Sequence, residues 1–277
     1  MNGETKYSVL LPVYIKDNPE WFRIAVDSMI NQTLPPDEIV IAIDGPLTDE
    51  LDEVIKQYEA DRDLFSIYRY EVNEGLGSTL RKTVPLCRNE YIARMDADDY
   101  SLPERCEIQI NYLNEHPEVG VVGSNISEFI DVMENVVSIR KVPEKHEEIV
   151  KFAKRRSPVN HPTLVYKKSD ILKVGNYGQY KSAEDYEFVV RMLQGGIIFH
   201  NIDKILLNMR VSMDLHKRRG GIKHFKTMYH VQKSFLKTGF YPSKFHFIVG
   251  MTPYAISCLS PNKLRSLIYA NLLRKKV

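Results

Sequence analysis

The chain has 277 residues, 43% apolar and 27% charged, a composition that suits a folded globular protein and excludes a mainly disordered one. That length can bury a full apolar core without disulfide or metal staples. The net charge of +2 hides a split: residues 215–277 carry 13 Lys and Arg and no Asp or Glu, leaving 25 basic against 36 acidic side chains before them.

A basic chain end calls for an anionic partner: a membrane surface, phosphates or nucleic acid. Cys87, Cys106 and Cys258 lack metal-type spacing and cannot all pair, so reduced thiols and a cytoplasmic location are expected. The opening MNGETKYSVLLPVY has no basic region followed by a long apolar run, so no signal peptide is expected. No uncharged apolar stretch reaches the roughly 20 residues that span a bilayer.

In chain order, residues 7–13 (YSVLLPV) and 39–43 (IVIAI) are short apolar runs, the pattern of strands buried on both faces. Between them Trp21, Ala25, Ser28 and Met29 fall at helical spacing, and Gln32-Thr33-Leu34-Pro35-Pro36 ends that helix. Residues 51–58 predict a helix and 65–70 a strand; Asn73-Glu74-Gly75-Leu76-Gly77 is a turn, and 80–87 predict a third helix. Residues 91–95 (YIARM) run as a strand straight into Asp96-Ala97-Asp98-Asp99.

Beyond this point, helices are expected at 103–115, 144–155 and 184–194. Strands are expected at 119–123, 163–166, 197–201 and 205–210, with a strand or hairpin at 127–140. Strands alternating with helices mean βαβ units around a mostly parallel sheet, hence an α/β fold. There is no internal repeat and no low-complexity segment.

Three carboxylates within Asp96-Ala97-Asp98-Asp99 repel one another. A divalent cation removes that cost, since Mg²⁺ and Mn²⁺ prefer oxygen ligands and often use one or two carboxylates plus substrate phosphates. An acidic turn capping the helix that begins near Pro103 would have the same short pattern.

The wider set of motifs separates these readings. Leu10-Leu11-Pro12-Val13-Tyr14, Asp44-Gly45, Asn73-Glu74-Gly75-Leu76-Gly77, Arg94-Met95-Asp96-Ala97-Asp98-Asp99 and Ala183-Glu184-Asp185-Tyr186-Glu187 occur in this order. Together they resemble family 2 glycosyltransferases with the GT-A fold, a Rossmann-like sheet flanked by helices. The resemblance is strongest to bacterial enzymes of capsule, exopolysaccharide and O-antigen assembly. It covers residues 6–220, and Arg218-Arg219-Gly220-Gly221 looks like one branch of that family. Arg81 departs from it, because many relatives carry Asn there.

The resemblance implies a catalytic domain over 1–215, with a nucleotide-sugar half over 1–100 and an acceptor half over 101–215, and a basic amphipathic extension over 216–277. It implies an inverting, metal-dependent glycosyltransferase taking its sugar from a nucleotide-sugar, a UDP-sugar by expectation. The acceptor would be a lipid-linked saccharide in surface polysaccharide synthesis.

Asp44 would accept hydrogen bonds from the base, with Pro12 and Tyr14 placing backbone groups against it and Asn73 and Gly75 forming the loop above. Arg94 would lie on the nucleotide-sugar side, Asp96 would hold ribose or donor sugar, and Asp98, with Asp96, would hold Mn²⁺ or Mg²⁺. Asp185 would be the general base, with Glu184 beside it, and His161 would face the acceptor. Arg210, Arg218 and Arg219 would meet the diphosphate, as Arg suits phosphate oxygens. His216 is a further candidate metal ligand. The chain end interleaves aromatics such as Phe245 and Phe247 with its cations, which implies peripheral contact with the inner face of the cytoplasmic membrane.

A sugar-nucleotide nucleotidyltransferase is an alternative, but it would carry a Gly-rich, Arg-containing loop where Pro12-Val13-Tyr14-Ile15-Lys16 stands. A non-catalytic sugar-nucleotide-binding module is another, and retention of Asp96, Asp98 and Asp185 argues against it. A nucleic-acid binder would explain the basic end but not the acidic motif.

Overall fold

A computed structural model describes residues 5–178, 183–212 and 221–259. One nine-stranded sheet organises the chain. Its first half is β1 (Tyr7–Val13), β2 (Glu38–Ile43), β3 (Phe65–Arg69) and β4 (Tyr91–Arg94), in spatial order β3-β2-β1-β4 and parallel throughout. β1 and β2 are buried along their whole length, which explains why their sequences are apolar without alternation. α1 (Pro19–Ile30) and α2 (Asp49–Tyr58) are crossover helices between these strands. Asn18 caps α1 by accepting from the Glu20 and Trp21 amides, and Thr48 caps α2.

The second half departs from an all-parallel plan. β8 (Val165–Lys167) lies antiparallel to β4, and β6 (Val119–Phe129) lies antiparallel to β8. β9 (Ile198–Arg210) runs parallel to β6 and antiparallel to β5 (Tyr100–Ser101), and β7 (Val136–Arg140) hairpins onto β6. The sheet is therefore parallel where the donor motifs lie and mixed beyond. A hairpin return such as β6–β7 needs no crossover helix.

Some expected boundaries move. The helix expected at 80–87 is α3 (Leu76–Thr83) followed by a 3₁₀ turn, Val84–Leu86, because Pro85 cannot continue the helix. The segments 197–201 and 205–210 are one strand; register shifts opposite Ser124, Asn125 and Ile126 absorb the polar interruption between them. α4 (Arg105–Glu115), α5 (His146–Ala153) and α7 (Glu184–Gln194) fall where expected; the short α6 (Lys168–Lys173) and β5 had no periodic signal.

α8 (Gly221–Lys237) and α9 (Lys244–Leu259) form the helical C-terminal part of the described chain. They close a separate apolar cluster in which Met228, Val231, Phe235 and Tyr241 pack on Ala153, Tyr186 and Val190. Among the described residues no helix is long and apolar enough to cross a membrane. The three cysteines are buried.

Candidate active site

The loops that follow β1, β2 and β4 gather at the carboxyl ends of the parallel strands, where ligands of open α/β sheets collect. Asp44 follows β2 and is 5% exposed. Its two carboxylate oxygens accept the Glu74 and Gly75 amides at 2.9 Å each, and its carbonyl accepts from Asn73 Nδ2 at 3.1 Å. Asp44 thus ties the 73–75 loop over the strand end.

Gly45 has φ +85°, and a Cβ there would stand 2.6 Å from the Asn73 nitrogen, so both conformation and close approach demand glycine. Gly75, the N-cap of α3, has φ +91° but open space where a Cβ would go. Pro12 lies within β1 opposite Ala42. The backbone of Tyr14 is engaged locally: its amide donates to Asp17 Oδ2 at 2.9 Å and its carbonyl accepts the Asp17 amide at 3.0 Å. Both backbone groups of Tyr14 thus meet Asp17. Its side chain, 39% exposed, is the part turned outward.

Arg94, expected to touch donor, is 1% exposed and ion-paired with Asp96. Its Nε and Nη1 find no hydrogen-bond partner among the described residues. Beneath it Arg105, also fully buried, donates from Nη2 to the Arg94 carbonyl at 2.6 Å and from Nε to Gln109 at 3.0 Å. Two buried guanidiniums thus brace the strand that delivers the aspartates.

Burial, then the Asp96 charge, pushes Asp98 up to about 6. Burial, then Asp98 and Asp96, pushes Asp99 well above the usual carboxylate range. Asp99 Oδ1 accepts the Arg210 amide at 2.9 Å, while its buried Oδ2 has no partner among the described residues.

Arg210 is committed to structure. It donates to the carbonyls of Asp98 and Asp131 and lies between the rings of Trp21 and Phe129, 4.2 and 4.6 Å from their centroids. Arg218, Arg219 and His216 lie outside the described residues.

Asp17 carries no sequence signal of its own and was missed. It ends the turn after β1, and burial, followed by the charges of Asp98 and Asp96, raises it to about 7. The site therefore holds four neighbouring carboxylates, Asp17, Asp96, Asp98 and Asp99. Among the described residues no three His, Cys, Asp or Glu side chains form a metal-holding set. Mg²⁺ and Mn²⁺ often take one or two carboxylates and complete their shell with substrate phosphates and water. The mutual repulsion and the orphaned Asp99 oxygen fit such a cation.

Glu184 and Asp185 open α7. Ala183 before them sits at φ 63°, a left-handed conformation that is strained for alanine and fixes how the pair enters the helix. Gly77 permits this closeness, since a Cβ there would lie 3.2 Å from the Glu184 Cβ. Burial, then Asp185, pushes Glu184 up to about 7; Arg94 opposes that shift and Asp96 adds to it. Asp96 and Glu184 thus lie within reach of one another's charge. Asp185 Oδ1 accepts the Tyr186 amide at 2.7 Å.

His161 is 7% exposed, and its Nε2 lies 2.9 Å from the Tyr177 hydroxyl. Burial, then Arg94, holds it well below the usual imidazole range, so it stays neutral. Tyr177 stacks on Phe188 of α7 at 3.8 Å. His161 is thus a packed support of α7, with little surface for an acceptor. Arg81 is exposed on α3, its carbonyl accepting from Asn176 at 2.8 Å.

The chain is similar in sequence and in fold to known proteins. Residues 8–173 match the model of "Glycosyl transferase family 2". The chain is 33% identical over 276 residues to the Escherichia coli UDP-Gal:alpha-D-GlcNAc-diphosphoundecaprenol beta-1,3-galactosyltransferase, covering 99% of each chain. S. aureus TarS 1-349 in complex with UDP is similar in fold, with TM-score 0.61 and 17% identity, covering 97% of this chain and 71% of that one. The mannosyltransferase from Pyrobaculum calidifontis in complex with GDP-Man and Mn2+ has TM-score 0.65 and 14% identity, covering 92% and 70%. The chain spans 52% of a longer TarS structure.

Proposed function

The chain belongs to glycosyl transferase family 2, and on that premise we propose that it is an inverting, metal-dependent enzyme moving a sugar from a UDP-sugar to a lipid-linked saccharide. The carrying observation is that Glu184, at the head of α7, packs against Gly77, where a Cβ would stand 3.2 Å from the Glu184 Cβ, and lies within reach of the Asp96 charge. Donor carboxylates and a base beside the acceptor are the two halves of a glycosyl transfer.

Asp44 forms the floor of the base pocket. Its oxygens each accept one loop amide, and a carboxylate oxygen has a second lone pair for a base N–H. Asn73 and Gly75 cover the nucleotide. Asp96, steadied by Arg94, meets the ribose or the donor sugar. Asp98 and Asp96 would hold Mn²⁺ or Mg²⁺, which when bound neutralises charge on the departing nucleoside diphosphate.

Asp185 takes the proton of the acceptor hydroxyl as that oxygen attacks the anomeric carbon, from the face opposite the leaving group. The C1–oxygen bond to the diphosphate breaks as the new glycosidic bond forms, and the configuration inverts. With its carboxyl pushed up to about 7, Glu184 is only partly ionised near pH 7, which lessens its repulsion of the diphosphate.

The lipid-linked acceptor is supported by the diphosphoundecaprenol in the name of the E. coli relative. A role in surface polysaccharide synthesis and a peripheral place on the inner face of the cytoplasmic membrane follow from it. The test is a panel of nucleotide sugars with Mn²⁺ or Mg²⁺, scored for released nucleoside diphosphate. Metal-dependent release from a UDP-sugar supports the reading. No release from any donor, with UDP still bound, favours a binding module instead.

A further inference from the structure

Among the described residues, α9 is apolar on both sides. Its inner side, Phe247, Met251 and Tyr254, faces the helix pair. The packing is fixed: a Cβ at Gly250 would stand 2.7 Å from both the Tyr241 hydroxyl and the Lys154 carbonyl, so α9 has no room to turn over. Its outer side presents Phe245, Ile248 and Val249, 69%, 62% and 40% exposed. Steps of three and one place these on one face, and Thr252 continues it. A helix with an apolar face left in water after its other face is packed marks an interaction surface.

The charges beside that face say what it meets. Residues 221–259 contain five lysines and no Asp or Glu. Lys226, Lys233, Lys237 and Lys244 are exposed. Lys244 directly precedes Phe245, while Lys233 Nζ lies 5.6 Å from the Tyr229 ring centroid and that ring touches Phe247 at 5.9 Å, so the cationic edge of α8 meets the inner side of α9. Apolar side chains flanked by cations and free of acids match an anionic lipid surface, with acyl chains for Phe245 and Ile248 and phosphates for the lysines.

From this we infer that α9 is a membrane-docking helix whose Phe245–Ile248–Val249 face enters an anionic bilayer, and that α8 transmits its position to the active site. α8 is fastened to α7 beside the candidate base. The Tyr186 hydroxyl donates to the Ala153 carbonyl at 2.5 Å and accepts from Gln232 at 3.3 Å, and its ring meets Phe235 edge-on at 5.2 Å. Tyr186 directly follows Asp185. The bilayer plane and the base are therefore held at one fixed separation, which suits an acceptor sugar standing on a lipid diphosphate. This rests on the lipid-linked acceptor proposed above.

The test is sedimentation of the full chain with vesicles of phosphatidylcholine containing about a third phosphatidylglycerol, for wild type, F245S/I248S and K226A/K233A/K237A. Melting, oligomeric state and UDP-sugar hydrolysis are measured in parallel. Wild type sediments; F245S/I248S loses about tenfold or more in partitioning at every salt, because apolar insertion is not screened. The lysine variant loses binding at low salt only.

Three outcomes overturn the inference. F245S/I248S could sediment like wild type. The variant could instead dissociate a wild-type dimer without any vesicle dependence, or melt earlier with partitioning unchanged, which would mean the face is covered by a second copy or by residues 260–277. Wild type could fail to sediment at low salt. Hydrolysis that persists in these cases leaves the proposed reaction standing, and hydrolysis absent with sedimentation intact removes the reaction alone.

Discussion

Arg94, buried to 1% exposure, is ion-paired with Asp96, which keeps 32% of its side-chain surface in contact with solvent. A buried charge thus anchors one that faces the cleft. Removing one partner of a buried pair costs about 3–5 kcal/mol, and the exposure of Asp96 places Arg94→Met near the lower end. Asp96→Asn is expected to cost as much, since it strands the guanidinium, whose Nε and Nη1 are already unpartnered. Denaturant midpoints of both variants check this. Stability unchanged in Arg94→Met would mean that the pair does not brace the site.

Asp44 fastens the 73–75 loop through two backbone amides. Asp44→Ala leaves both without an acceptor and should cost about 1–3 kcal/mol. UDP affinity, measured by calorimetry, should fall together with stability, because the loop and the base contact share one carboxylate. Full affinity in this variant would place the base elsewhere.

The two glycines of this loop pair should respond unequally. Gly45→Ala must adopt φ +85° and also clash with the Asn73 backbone, whereas Gly75→Ala meets strain at φ +91° but no neighbour. A left-handed alanine costs about 1–2 kcal/mol, so Gly75→Ala should lose about that much and Gly45→Ala distinctly more. Equal losses in thermal melts would contradict the close approach of strand end and loop.

Glu184 is raised from its ordinary 4.5 to about 7 by burial first and Asp185 second. Between those values the native protein holds a proton that the unfolded chain has released. This contribution to stability is complete below pH 4.5 and is lost as pH rises toward 7. Asp98, raised to about 6, acts in the same direction. Without divalent metal, stability should therefore fall from about pH 5 to about pH 8, and Glu184→Gln should reduce that slope. A denaturant midpoint that rises with pH, with Glu184→Gln leaving its slope untouched, would reverse the assignment.

The parts of this site that were legible follow apolar strands. β1 and β2 hold short apolar runs and β4 reads as a strand that leads into the aspartates, so Asp44 and the Asp96–Asp99 run are plainly placed at strand ends. α7 is equally plain, because its acidic start and its apolar spacing agree. Asp17 was illegible, since only the fold of the Tyr14–Asp17 turn carries it toward Asp98. Arg94 is visible as a charge but not as a buried one; its amide donates to the Leu164 carbonyl at 2.8 Å, a partner far along the chain.

β6 was split for the same reason. Its polar Ser124, Asn125 and Ser127 look like a loop until they meet distant partners. The Ser124 amide donates to Thr163 Oγ1 at 3.0 Å, Asn125 Oδ1 accepts the Val142 amide at 2.9 Å, and Ser127 Oγ donates to Asn208 at 2.6 Å. The mixed half of the sheet is written in such pairings, which local periodicity does not contain.

The account turns on Asp185 as the base of a transfer from a UDP-sugar, and Asp185→Asn probes it with least disturbance, since the amide oxygen can still accept from Tyr186. The decisive measurement is single-turnover transfer by this variant alongside UDP-sugar affinity by calorimetry. The account predicts a rate lower by about 10²–10⁴ with affinity unchanged; a rate near that of wild type would contradict it.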